Sequence, residues 1–196
     1  MADSWTGVKD TYTLDKLGAY HMIGQDDYEP QRNNNFEVHI YGLSNLKTVD
    51  TKMNVPQDIA EQSLTLSAVS VGQISTNVGV LTVPYGNTKV KYAGLPEISD
   101  SDIVYNDYIG KSTERVIAAW HSLVFDPKTE KIGLASSYKK RALLIETAPD
   151  GTRARAWELQ GCWPSNVQYG AYDYNGGATR QITMTLTYDV AIPLDN

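Results

Sequence analysis

Apolar positions along this chain recur mostly at every second residue, the spacing of strands rather than helices. FEVHIYGL, residues 36–43, sets Phe36, Val38 and Ile40 on one side and Glu37, His39 and Tyr41 on the other, as a half-buried strand requires. LTLSAVSV, 64–71, predicts a second strand, and its parity shifts between Ala68 and Val69, where a bulge or bend is expected. The cleanest alternation is RQITMTLTYDVAI, 180–192. Ile182, Met184, Leu186, Tyr188 and Val190 alternate there with Thr183, Thr185, Thr187 and Asp189, giving one face to a core and the other to water.

Turn residues punctuate these runs. TNVGVLTVPYGNTKVKYAGL, 76–95, carries the turn signal Tyr85-Gly86-Asn87-Thr88 between β-branched residues, which predicts a protruding loop or hairpin. Pro149-Asp150-Gly151 separates ALLIET, 142–147, from TRARAWELQ, 152–160, a second hairpin signal. Helical spacing is confined to two places. PQDIAEQ, 56–62, allows one short turn with Pro56 near its start. STERVIAAWHSLVFDP has Val116, Ile117, Trp120, Leu123 and Val124 on one stripe, predicting a helix over about 112–125. Ser112 is its expected N-cap, Glu114 favours its positive end, and Asp126-Pro127 stops it. Everything after it reads as strand and turn. The fold class is therefore mainly β, an antiparallel β-sandwich or split β-barrel with one covering α-helix.

Residues 1–33 lack apolar periodicity and are rich in Asp, so they read as an N-terminal arm without a core of its own. Trp5, Tyr12, Leu14, Leu17, Tyr20, Met22 and Ile23 make it more apolar than a tail needs, which suggests docking. Residues 34–196 form the β-sandwich domain. At 196 residues the chain can bury a core without staples. Its single Cys162 excludes an intrachain disulfide framework and a Cys-based zinc site, and a reducing compartment is its natural home. No apolar run approaches the roughly 20 residues that cross a bilayer, and MADSWTGVKD has no signal-peptide pattern. A soluble protein made in the cytoplasm is expected. The net charge of −6 argues against a basic surface for nucleic acid.

Motifs for chemistry fail one by one. His21, His39 and His121 are dispersed and none sits in HExxH. GLSNL, 42–46, begins like a nucleophile elbow but has Leu46 in place of the second glycine. EISDSDIVYND, 97–107, does not make a calcium loop: counted from Asp100, the sixth position is Tyr105 and the twelfth is Lys111. Gly79 and Gly86 fit no phosphate-binding loop. No catalytic, cofactor or metal site is expected. Aromatics remain, 13 Tyr and 4 Trp, and Tyr169, Tyr172 and Tyr174 could form a stacking platform of a carbohydrate-binding β-sandwich.

The C-terminal third carries a more specific signal. WELQGCWPSNVQYGAYDYNGGATRQITMTLTYDV, 157–190, resembles the end of the tail tube protein of contractile-tailed bacteriophages, where a strand passes through a Gly-x-Trp-Pro-Ser/Thr-Asn-Val turn to an amphipathic closing strand. Gly161, Trp163, Pro164, Ser165, Asn166 and Val167 match that turn. Earlier segments follow the same order, so the resemblance covers residues 36–190. The arm and DPKTEKIGLASSYKK, 126–140, depart from it.

The resemblance implies hexameric rings stacked into a tube whose continuous inner β-barrel conducts the genome. The implied partners are other copies of the chain, the sheath, baseplate, tail terminator and tape-measure proteins, and phage DNA that passes without specific binding. No cofactor and no membrane insertion are implied. The implied location is the virion tail, after assembly in the host cytoplasm. Thr183, Thr185, Thr187 and Asp189 become candidates to face the lumen, and Val80, Leu81, Val83, Tyr85 and Asn87 candidates for stacking one ring on another. Gly161, Trp163, Pro164 and Asn166 become a structural turn: Pro164 presets the bend, Asn166 bonds its own backbone, and Trp163 anchors it in the core. A baseplate tube initiator and an Hcp-like ring of a type VI secretion system are related alternatives.

Overall fold

The computed structural model describes residues 31–43, 46, 57–109, 113–174 and 177–194. The expected arm up to residue 30, Pro56 and the N-cap Ser112 lie outside the described residues.

The alternating segments form strands as their patterns require. β1 (Phe36–Tyr41) buries Val38 and Ile40, and β10 (Gln181–Thr187) buries Ile182, Met184 and Leu186. Tyr188, just past β10, is buried as well. The central helix spans Thr113–Val124 and buries Val116, Ile117, Ala119 and Trp120; it is labelled α2.

LTLS, expected to open a strand, instead ends a longer helix, α1 (Gln57–Ser67). At helical spacing Ala60, Ser63, Leu64 and Ser67 share one side, and all four are buried. α1 packs on β1 and α2. The Ser67 and Thr113 hydroxyls share a buried 2.9 Å hydrogen bond where the two helices meet. Tertiary packing thus overrides a local alternation that only four residues carried. The strand proper, β2, is Ala68–Val71, and its register against β5 (Ser101–Asn106) shifts between Ala68 and Ser70, as the parity slip anticipates.

Between β2 and β5 the chain runs out and back as β3 (Thr76–Tyr85) and β4 (Thr88–Ile98). Gly86, at φ 60°, opens their two-residue turn. A Cβ on Gly94 would stand 2.9 Å from the Gly79 carbonyl oxygen, so the ladder passes its register shift between Val78 and Val80 by using two glycines face to face.

After α2 come a two-residue pair, β6 (Phe125–Asp126) with β7 (Lys131–Ile132), and a one-turn helix, α3 (Ala135–Tyr138). The helix corrects the expectation of strand and turn alone. Trp120 explains it: its buried indole Nε1–H donates to the Tyr138 carbonyl at 2.8 Å, and that partner must be brought to it.

β8 (Lys140–Thr147) and β9 (Arg153–Gln168) follow, joined at the Pro149-Asp150-Gly151 turn. The last strand is β11 (Val190–Leu194). Seven strands make one antiparallel sheet in the order β1-β8-β9-β10-β5-β2, with β11 also on β9. One flank of β9 is covered along most of its length, by β10 and then by β11 in continuation. On its other flank β8 pairs only from Arg153 to Cys162. Among the described residues no strand pairs with the half from Trp163 to Gln168 on that flank.

Candidate functional site

Four strand segments, the Trp163–Gln168 half of β9, then β10, β5 and β2, are neighbours in that order. Their inner residues close the core around Tyr105, Ile103, Met184 and Ile182. Alternation then commits Gln181, Thr183, Thr185 and Thr187 of β10 to the opposite face, with Asp102 and Asn106 of β5 across from them. Thr185 Oγ1 donates to Asp102 Oδ1 at 2.7 Å, and Gln181 Nε2 to Asn106 Oδ1 at 3.3 Å. Over all four segments Asp102 is the one charged side chain. The result is a face mostly of hydroxyls and amides, interrupted by Val104 and Trp163, with a single negative charge and no cation.

Of the residues expected to line a lumen, Thr183, Thr185 and Thr187 lie together on this face. Asp189 is drawn away from them. It falls between β10 and β11, and its carboxylate is held by Lys139 Nζ at 2.6 Å. Gly161, at φ 71°, leaves the room for that carboxylate, because a Cβ there would collide with it.

The expected turn at Gly161, Trp163, Pro164 and Asn166 is not a turn. All four lie within β9, with Pro164 opposite Leu186, Asn166 opposite Thr185 and Trp163 opposite Thr187. Gly161 takes a positive φ next to where β8 gives out, and the pairing with β10 shifts register at Ser165. Pro164, which lacks an N–H, is tolerated because this half of β9 has an open flank. Trp163 is half-buried and meets Tyr138 edge-on at 5.8 Å, outside the core. Cys162 beside it is buried, its thiol pushed up to about 12 by desolvation, so it is inert near neutral pH.

Val80, Leu81, Val83 and Tyr85 are exposed along β3, with Asn87 at the tip, and Tyr92 and Leu95 are exposed on β4. Both faces of this hairpin are open, so it carries more uncovered apolar surface than a solvated loop needs.

The three tyrosines of the sugar-platform reading are not brought together as one stacking surface. Tyr169 packs against the core, Tyr172 has the Arg180 guanidinium over its ring at 4.9 Å, and Tyr174 is exposed. Arg180 is the residue that sequence reasoning missed. It bonds Asp107 at 2.7 Å and Glu114 at 3.1 Å, tying β10, the end of β5 and the first turn of α2. Partners 73 and 66 positions away leave no local signal.

A cleft of about 560 Å3 opens at the foot of the bare edge, lined by Tyr41, Gly42, Lys139, Lys140, Arg141, Gln160 and Gly161. Lys139 and Arg141 are paired with Asp189 and Glu158. Lys140 has no carboxylate partner among the described residues, and partial burial pushes its ammonium below the usual lysine range.

A scan of known protein families gives no match, and no curated protein matches the chain. Solved structures do. A chain of the cap of the anti-feeding prophage, a tube-terminating cap, superposes with a TM-score of 0.60 at 15% identity, over 86% of this chain and 93% of that one. A chain of the sheath/tube terminator of PVC, an extracellular contractile injection system, gives 0.60 at 14% identity, over 85% and 98%. A chain of the PVC sheath-tube complex gives 0.57 at 16%, over 91% and 98%. The chain therefore has the fold found in tube and terminator assemblies of contractile injection systems. Among the described residues the large sheet does not close on itself.

Proposed function

We propose that this chain is a structural, non-enzymatic tube subunit of a contractile phage tail. In this reading six copies close a ring, rings stack into a tube, a sheath surrounds it, and DNA leaves through the lumen. The observation that carries the reading is the four-segment polar face bounded by two edges that no strand covers among the described residues, β2 on one side and Trp163–Gln168 of β9 on the other.

Strand direction alternates across those four segments, so β2 runs opposite to β9. Rotation about a ring axis preserves direction, and β2 of one copy therefore meets β9 of the next antiparallel, continuing the ladder without a break. Six such sets give 24 strands; at about 4.8 Å each the circumference is about 115 Å and the diameter about 37 Å before tilt widens it. A duplex passes even after lining side chains are subtracted. Closure also removes edges that would otherwise invite aggregation.

With Thr183, Thr185 and Thr187 inward, the lumen offers phosphate short hydroxyls and no cation, so DNA slides without ion pairing. The exposed hairpin from Thr76 to Ile98 is the element suited to reach a neighbouring ring. The likeness to a tube-terminating cap supports a second reading, a ring that ends the tube instead of extending it.

The test is a Thr185→Lys, Thr187→Lys double variant. Both side chains are only half-buried, so folding and tube formation should persist. Variant tubes should retain duplex DNA at low salt and release it as salt rises, whereas wild-type tubes retain none. Indistinguishable DNA retention, or unfolding of the variant, contradicts a lumen-facing assignment.

A further inference from the structure

Charge is arranged asymmetrically on the two edges that a ring would join. β8 starts on the same flank of β9 as the bare Trp163–Gln168 edge, since Lys140 pairs with Cys162 while β10 and β11 occupy the opposite flank. The run Lys139-Lys140-Arg141 thus stands at the foot of that edge. Two of the three cations are satisfied internally, and Lys140 has no carboxylate partner among the described residues. Its stem lies over Gly42, where a glycine Cβ would stand 3.6 Å from Lys140 Cδ. The nearby Glu61 carboxylate accepts the Gly42 N–H at 3.0 Å.

The opposite edge carries the complement. Below β2, Gly72 N–H donates to the Asp102 carbonyl at 2.6 Å and Ser99 N–H to the Ser75 carbonyl at 3.0 Å. These bonds hold the end of β4 and the start of β5 beside the exit from β2. Glu97 and Asp100, in that stretch, are exposed and have no ion-pair partner among the described residues. The two charged places are at one height. Trp163 pairs with Thr187, Leu186 with Ser101 and Ile103 with Val71, so both lie at the Gly161 end of the polar sheet.

We infer that the Lys140 cleft is a half-site completed by a second copy: in the ring, the Glu97–Asp100 segment of the adjacent copy supplies the carboxylate that Lys140 lacks. The inference rests on the ring proposed above. When β2 of the neighbour extends β9, its β5 lies one strand spacing, about 4.8 Å, further from the joint. A four-carbon lysine stem spans that distance. Each joint then gains a cation and carboxylate pair at one end, which fixes the register of a short edge strand that backbone bonds alone would let slip. In a chain of net charge −6, whose copies repel one another, this local attraction also selects the productive edge.

Charge reversal tests it on the full chain. Ring and tube populations are measured by mass photometry and analytical ultracentrifugation over a concentration series, with circular dichroism reporting the fold. Lys140→Glu alone, and Glu97→Lys with Asp100→Lys alone, should each raise the concentration needed for rings by about tenfold or more. The triple variant that exchanges the charges should recover most of the loss. If Lys140→Glu unfolds the subunit, Lys140→Gln serves instead and should weaken rings in the same direction. Wild-type assembly by either lysine variant, or no recovery in the exchanged variant, overturns the inference and leaves the ring standing. A wild-type chain that forms no rings at all overturns the ring and this contact together.

Discussion

Tyr105 is fully buried on β5, and its phenolic oxygen has no hydrogen-bond partner among the described residues. Burial holds its pKa well above the ordinary tyrosine range. A buried unpaired hydroxyl is a standing cost, so Tyr105→Phe should raise unfolding stability by about 1 kcal/mol in urea titrations. A loss of stability would mean that the hydroxyl has a partner. Trp120, equally buried, is the opposite case: its indole N–H is satisfied by Tyr138, and truncating it to alanine would lose both packing and that bond. The threonines of β10 belong to a third kind, exposed enough to change without disturbing the fold and ordered by bonds such as that from Thr185 to Asp102. At this scale the sequence was informative where alternation was long. Ile182, Met184, Leu186 and Tyr188 are all buried as their spacing predicts. It was silent on Arg180, whose carboxylate partners, just past β5 and on α2, are neighbours only after folding.

Among the elements, α2 was legible because five apolar residues repeat at helical spacing, and the hairpin turn because Gly86-Asn87 offers a positive φ where the chain must reverse. α1 was not fully legible. Its second half, LTLS, satisfies a two-residue and a 3.6-residue period at once, and only packing against β1 and α2 decides between them. β9 was misread for a related reason. A Gly-x-Trp-Pro pattern signals a turn locally, yet Gly161 takes its positive φ within the strand, and the ladder with β10 continues past Pro164 with a register shift at Ser165. The β3–β4 hairpin gives the prediction for this scale. Replacing Thr82–Lys91 by an Asn-Gly turn joins Leu81 and Tyr92, which already face each other in the ladder. The shortened chain should keep its melting temperature and still form rings, while electron microscopy finds single rings in place of tubes. Full-length tubes from it would remove the hairpin from stacking.

Taken whole, the described part of the chain is a sheet whose core is complete and whose margins carry no neighbour among the described residues. An identity of 12–16% to the structures it superposes on is too little for those margins to be matched residue by residue. The superposition nevertheless spans most of the chain. Sequence alternation reveals which face of a strand is buried. It carries no information on which strand lacks a neighbour, because that depends on the order of strands in the sheet. The bare flank of β9 and the short β2 became visible only in the folded arrangement. Negative-stain electron microscopy of the purified full chain tests the central claim most directly. Closed rings with an open centre, or rods built from them, are the expected result; a population of single subunits at every concentration, with both sheet margins left free, would contradict it.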